Sequence, residues 1–159
     1  MDFLADDSTP MPDQADGLRR LFSGARTRFV AVAANPDVAF AGLALERLAS
    51  ACAAAADRKV LVVDAARGAP HEMAAVDLSD CIERFDDERL SYLAARGLPL
   101  RHVDARGSCE RFLHALVDAA PQAGVVVVHA EVAELGRIFA RRAPRPVLLA
   151  ADHPASVTA

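Results

Sequence analysis

The residues best able to do chemistry in this chain fall where an open α/β sheet would present them. Ala33-Ala-Asn-Pro-Asp-Val-Ala-Phe-Ala-Gly42 follows an apolar run, at the place where a parallel sheet holds phosphate. A working phosphate loop needs glycines that let backbone N–H groups wrap the phosphates, a lysine for charge and a Ser or Thr for magnesium. Here Pro36 removes a donor and Gly42 is the only glycine, so a nucleoside triphosphate bound in the usual manner is disfavoured. Asp64 closes the next apolar run, Lys59-Val-Leu-Val-Val-Asp64, and a carboxylate at the carboxyl end of a strand would lie beside any ligand there. His71, His102, His114, His129 and His153 lack spacings such as HxxxH, so no metal site is expected. His129, Glu131 and Cys109 could supply a base, an acid and a nucleophile, but no oxyanion loop accompanies them. Cys52, Cys81 and Cys109 are odd in number and widely spaced, which predicts reduced packing residues rather than a disulfide framework.

The elements that would position these groups follow from hydrophobic periodicity. Apolar runs at 29–33, 60–63, 100–103, 125–128 and 147–150 predict five strands. Amphipathic stretches at 38–55, 108–119 and 131–142 predict helices between them, with further helical candidates at 70–76, 79–83 and 86–96. Strands that are apolar at every position and alternate with helices imply an α/β fold: a three-layer domain over 28–159 around a parallel sheet of about five strands. Residues 1–12 carry acids, Ser, Thr and two prolines with no apolar period, the composition of a disordered tail. Over 13–24 the pattern changes to a short helix. Asp13 can cap it, Ala15, Leu18, Leu21 and Phe22 share one side, Arg19 and Arg20 lie off that side, and Ser23-Gly24 ends it. A helix this short is not stable alone in water, so its apolar side must dock on something.

Composition narrows the function classes. The chain has 159 residues with a formal charge of −4, leaving no basic excess for gripping a phosphate backbone, so nucleic acid is not an expected partner. One Tyr and no Trp argue against an aromatic surface for sugars or bases. The apolar runs are far shorter than the roughly 18 to 20 residues that span a bilayer, and the N-terminus is acidic, so the expected location is the cytoplasm with no membrane anchor.

Asp13-Gln-Ala-Asp-Gly-Leu-Arg-Arg-Leu-Phe22 resembles the N-terminal DQA-x-x-LR signature of the FlhG (FleN) flagellar-number regulators, within the MinD/ParA group of deviant Walker ATPases. The likeness continues in order along the chain. Arg28–Ala33 resembles the family's first strand, Leu43–Ala53 the helix after its phosphate loop, and Lys59–Asp64 the strand ending in D-x-D-x-G. Ala150-Ala-Asp-His-Pro-Ala-Ser-Val-Thr-Ala159 resembles the family's strand, Pro-x-Ser-[Val/Ile]-Thr turn and helix start. This resemblance implies a P-loop-NTPase fold of MinD/ParA type, cut short at about the sixth family element.

The departures lie at the positions that would carry catalysis. On the family loop K-G-G-V-G-K-[ST], the signature Lys falls on Pro36, the second Lys on Ala41 and the magnesium-binding hydroxyl on Gly42. In D-x-D-x-G, Asp64 and Gly68 remain while the second Asp is Ala66, and the Asp closing the later strand is replaced at His129. Since positioning and charge supply nearly all of the catalysis in phosphoryl transfer, the resemblance implies a degenerate ATPase that is not an enzyme and needs no cofactor. It further implies a regulator of flagellar biogenesis. Asp13, Gln14, Ala15, Leu18, Arg19, Leu21 and Phe22 would bind the signal-recognition-type GTPase FlhF and stimulate its GTP hydrolysis, and that partner would recruit the chain to the pole or membrane. The alternative is a nucleotide-responsive MinD-like switch with an atypical loop, using ATP and magnesium and pairing as a homodimer.

Overall fold

The computed structural model describes residues 27–69, 77–85, 88–140 and 145–158. Strand β1 (Arg28–Ala33) leads through a loop to helix α1 (Ala41–Ala56) and back to β2 (Lys59–Asp64). A single 3₁₀ turn (Leu78–Cys81) precedes β3 (Glu83–Arg84) and β4 (Leu90–Ala94), and a second (Pro99–His102) precedes α2 (Glu110–Ala119). The chain closes with β5 (Ala123–Ala130), α3 (Val132–Ile138), β6 (Val147–Leu148) and the short α4 (Pro154–Thr158). The six strands form one sheet in the order β3-β4-β2-β5-β1-β6. Five of them are parallel, and β3 adds an antiparallel edge against β4.

Two apolar clusters cover the two faces. Alternation along β5 sends Val125 and Val127 toward α1 with Val32, Val60 and Val62, while Val126, Val128 and Ala130 meet Phe112, Leu116 and Ile138 of α2 and α3. Every residue of β5 is buried, which is why its sequence lacks polar alternation.

The α/β class and the central strands agree with the sequence reading, and several elements differ. Over 86–96 the structure has β4 instead of a helix, with 86 and 87 outside the described residues. Leu90, Leu93 and Ala94 satisfy a helical period as well as a strand one, and in-register pairing of Leu90–Ala94 with Val60–Asp64 decides the matter. The expected strand at 100–103 is the 3₁₀ turn Pro99–His102 instead, because Pro99 opens a turn and leaves Leu100 and Val103 exposed. The sheet therefore has six strands and mixed direction, not five parallel ones. The expected helix at 131–142 ends at Ile138, and β6 is only two residues long. The tail at 1–12, the helix at 13–24 and the helical candidate at 70–76 lie outside the described residues.

One glycine serves a close approach. Pairing between β5 and β2 shifts register where Ala123 opposes Lys59 and Val125 opposes Val60, leaving Gly124 without a partner residue on β2. A Cβ at Gly124 would meet the Arg58 side chain at 2.2 to 2.9 Å, including its Cβ, so the rigid base of that side chain would have to move. Gly124→Ala is expected to cost about 1 to 3 kcal/mol, read as a lowered midpoint in urea denaturation.

Candidate functional site

The carboxyl ends of β1, β2 and β5 converge on a cleft of about 610 Å³. Pro36, Ala41, Gly42, Asp64, Ala66 and His129, drawn from three separate segments of the sequence, all line it. Parallel pairing explains the convergence: Ala33 opposes Ala130, and Asp64 opposes His129 in the adjacent strand, so the segments leaving these strands meet at one edge. Asp13, Gln14, Ala15, Leu18, Arg19, Leu21 and Phe22 lie outside the described residues.

Asp64 is the hub of the polar contacts. Its Oδ1 lies 2.8 Å from His129 Nδ1 and accepts the Ala66 backbone N–H at 3.3 Å, while its Oδ2 accepts the Tyr92 hydroxyl at 3.4 Å. Register makes this possible, because Asp64, His129 and Tyr92 sit on neighbouring strands and all face α1. His129 is buried, and its Nε2 has no hydrogen-bond partner among the described residues. Burial and the neighbouring Asp64 carboxylate, with a smaller contribution from Glu83, push the Tyr92 phenol up to about 12.

Glu131, on the segment leaving β5, accepts the Arg67 backbone N–H at 2.9 Å, and its carboxylate lies 4.0 Å from Arg67 Nε. Arg96 donates to the Arg67 carbonyl at 3.1 Å, so the loop after β2 is held from both sides. Among the described residues Arg67 is the only Lys or Arg lining the cleft, and its side chain is 90% exposed. The chain's single lysine, Lys59, stands at the opposite end of β2 and pairs with Glu88 at 3.7 Å. Among the described residues the cleft walls carry two carboxylates, Asp64 and Glu131, against the one guanidinium of Arg67.

The loop from β1 to α1 is shaped by Asn35, which the sequence reading did not single out. Its Nδ2 donates to the carbonyls of Leu149 at 3.0 Å and Ser156 at 2.8 Å, and its Oδ1 accepts the Asp37 N–H at 3.0 Å. Ser156 is buried, and its Oγ accepts the Ala151 N–H at 2.6 Å. His153 Nε2 lies 3.2 Å from the Asp37 carbonyl. The segment 149–156 is thus stapled onto the loop, and the Asn35 amide is committed to protein atoms. An Asn beside Pro36 in a loop start is the only local signal of this role.

Cys109 belongs elsewhere. It is buried in the cluster on the α2–α3 face, across the sheet from His129, and burial pushes its thiol up, so the structure does not assemble a nucleophile and base pair from them. Cys52, Cys81 and Cys109 are free thiols. Among the described residues no group of three or more His, Cys, Asp or Glu side chains could hold a metal, and no helix is long and apolar enough to cross a membrane. No family model matches the chain, and no curated protein matches it.

Because Tyr92 is the only tyrosine and the chain has no tryptophan, its ionisation can be followed alone by near-ultraviolet absorbance. The folded protein is expected to titrate at about 12 rather than 10.0. Asp64→Asn should lower that midpoint while burial keeps it above 10.0. The phenol holds its proton more tightly when folded, so this contribution to stability is full below pH 10.0 and is lost as pH rises toward about 12.

Proposed function

We propose that this chain is a non-catalytic regulator related to the MinD/ParA ATPases, acting on a signal-recognition-type GTPase of the FlhF kind through its N-terminal DQA segment. The observation that carries the reading is the charge of the cleft. Six positions aligned with the family's nucleotide site line one cleft at the carboxyl edge of a mostly parallel sheet, yet no lysine reaches it, Pro36 stands at the signature position and Asp64 is bonded to His129. Among the described residues, a triphosphate entering there would meet two carboxylates with a single exposed arginine to offset them, the reverse of what phosphoryl transfer requires. The α/β sheet order and the helix start at Pro154 support a MinD/ParA-type arrangement, and the DQA segment supplies the partner.

In this reading the domain tethers and the N-terminal segment acts. Gln14 orients a water in the partner's site without changing its charge, and Leu18, Leu21 and Phe22 provide the apolar contact, with Asp13, Ala15 and Arg19 beside them. A second reading, a nucleotide-responsive switch that pairs on ATP, draws on the N-terminus of α1, which lies at the cleft with no side-chain cap.

Two measurements test these readings. Titration of the full chain with ATP or ADP and magnesium is expected to show no micromolar binding; such binding would favour the switch. With the cognate GTPase, the full chain is expected to accelerate GTP hydrolysis, and Gln14→Ala should lower the stimulated rate at least about tenfold while leaving association within about twofold. If Gln14→Ala stimulates as the parent does, the DQA segment does not carry the function.

A further inference from the structure

On the α1 face of the sheet a groove of about 690 Å³ runs between α1 and the β3–β4 edge. Leu45 of α1 forms one wall, Val62, Leu90 and Tyr92 form the floor, and Phe85, half exposed, stands at one end. Helix α1 packs mainly on β2 and β5 and touches β4 only at its margin, so β4 is incompletely covered on this side among the described residues. Two exposed carboxylates, Glu46 and Glu83, stand on the rim, and no ion pair engages either among the described residues. The groove is therefore apolar along its wall and floor, with the Asp64 carboxylate at the end shared with the cleft and Glu46 and Glu83 at its rim.

We infer that residues 13–24 of the same chain occupy this groove. Their pattern is its complement: Leu18, Leu21 and Phe22 form an apolar stripe, and Arg19 and Arg20 flank it. Reach and length agree. The described chain begins at Thr27, whose Oγ1 donates to Ala123 at the edge of the sheet where Leu90 opposes Val60. Strand β4 is three strand spacings from β1, about 14 Å. The extended chain from Phe22 to Thr27 covers about 17 Å, enough to bring Phe22 to the Leu90 and Phe85 end. From there a helix back to Asp13 rises about 14 Å, matching the roughly 13 Å of β2 between Val60 and Asp64. Arg19, one turn above Phe22, then comes level with Glu83, which is paired with Tyr92 beside Val62. In this position the segment is withheld from any outside partner, and release requires only that its apolar side be exchanged from the groove to that partner.

The test uses the full chain. Tryptic cleavage after Arg19 and Arg20, quantified by mass spectrometry, is compared with cleavage of a free peptide of residues 13–24. The chain is expected to be cut at least about tenfold more slowly, independently of its concentration, because cleavage follows the undocked population. Glu46→Arg with Glu83→Arg should return the rate to within about twofold of the peptide, and both sites are exposed, so circular dichroism should be unchanged. Amide exchange gives the reciprocal check: Arg19→Glu with Arg20→Glu should lose protection over 13–24, and combining both pairs should restore it. Cleavage as fast as in the peptide, protection indifferent to charge reversal, or protection that grows with concentration and so places the segment on a second copy would each overturn the inference. None of these readouts involves a GTPase, so a failure to stimulate GTP hydrolysis would refute the proposed function and leave this result standing, and the converse holds.

Discussion

Burial of β5 on both faces is the constraint from which the other features of this protein follow. A strand whose eight residues are all buried can have no solvent face, so helices must cover both sides and neighbouring strands must pair along both edges. α1 takes one face and α2 with α3 the other, while β1 and β2 take the edges in parallel register. Parallel direction sends the segments that leave all three strands to the same edge of the sheet. A cleft at that edge is therefore a consequence of the core, and its chemistry depends on which side chains happen to end the strands.

Those ends carry an acid on β2 and an imidazole on β5, set opposite each other by register. A buried histidine nitrogen without a partner costs about 1 to 3 kcal/mol, and among the described residues His129 bears such an atom at Nε2 while its Nδ1 meets Asp64. Asp64 in turn holds Tyr92 and the Ala66 N–H, so the carboxylate is spent on the protein's own groups. The same carboxylate therefore links the cleft to the groove beside it, since Gly42 and Asp64 line both.

What was legible in the sequence was what local pattern determines. β1, β2 and β5 are apolar at nearly every position, and a buried parallel strand has few other ways to look. Pro36, Ala41, Gly42, Asp64, Ala66 and His129 were grouped in advance only through the family resemblance, and they meet because strand ends in such a sheet share an edge. The stretch at 86–96 was misleading because its leucines fit two periods, and only pairing with β2 distinguishes them. The strand expected at 100–103 failed for a different reason: Val103 and Leu100 are apolar yet exposed, and the turn is set by Gly97, which has positive φ, and by Pro99. The Asn35 staple was not legible at all, since it joins residues 121 apart in sequence through bonds that leave no periodic trace.

The charge arrangement adds a reason for the loop's geometry beyond any kinship. A loop that wraps phosphate keeps its backbone N–H groups and side-chain donors turned toward the ligand. In this chain the loop's only side-chain amide is turned toward 149–156, its Pro36 has no N–H, and Asp37 donates back to Asn35. The β1–α1 loop is thus held in shape by the bonds of Asn35 to the 149–156 segment and by its own turn at Asp37 and Val38. A loop ordered in this way holds its shape without an anion to complete it, because its side-chain amide is already bonded to residues of the chain.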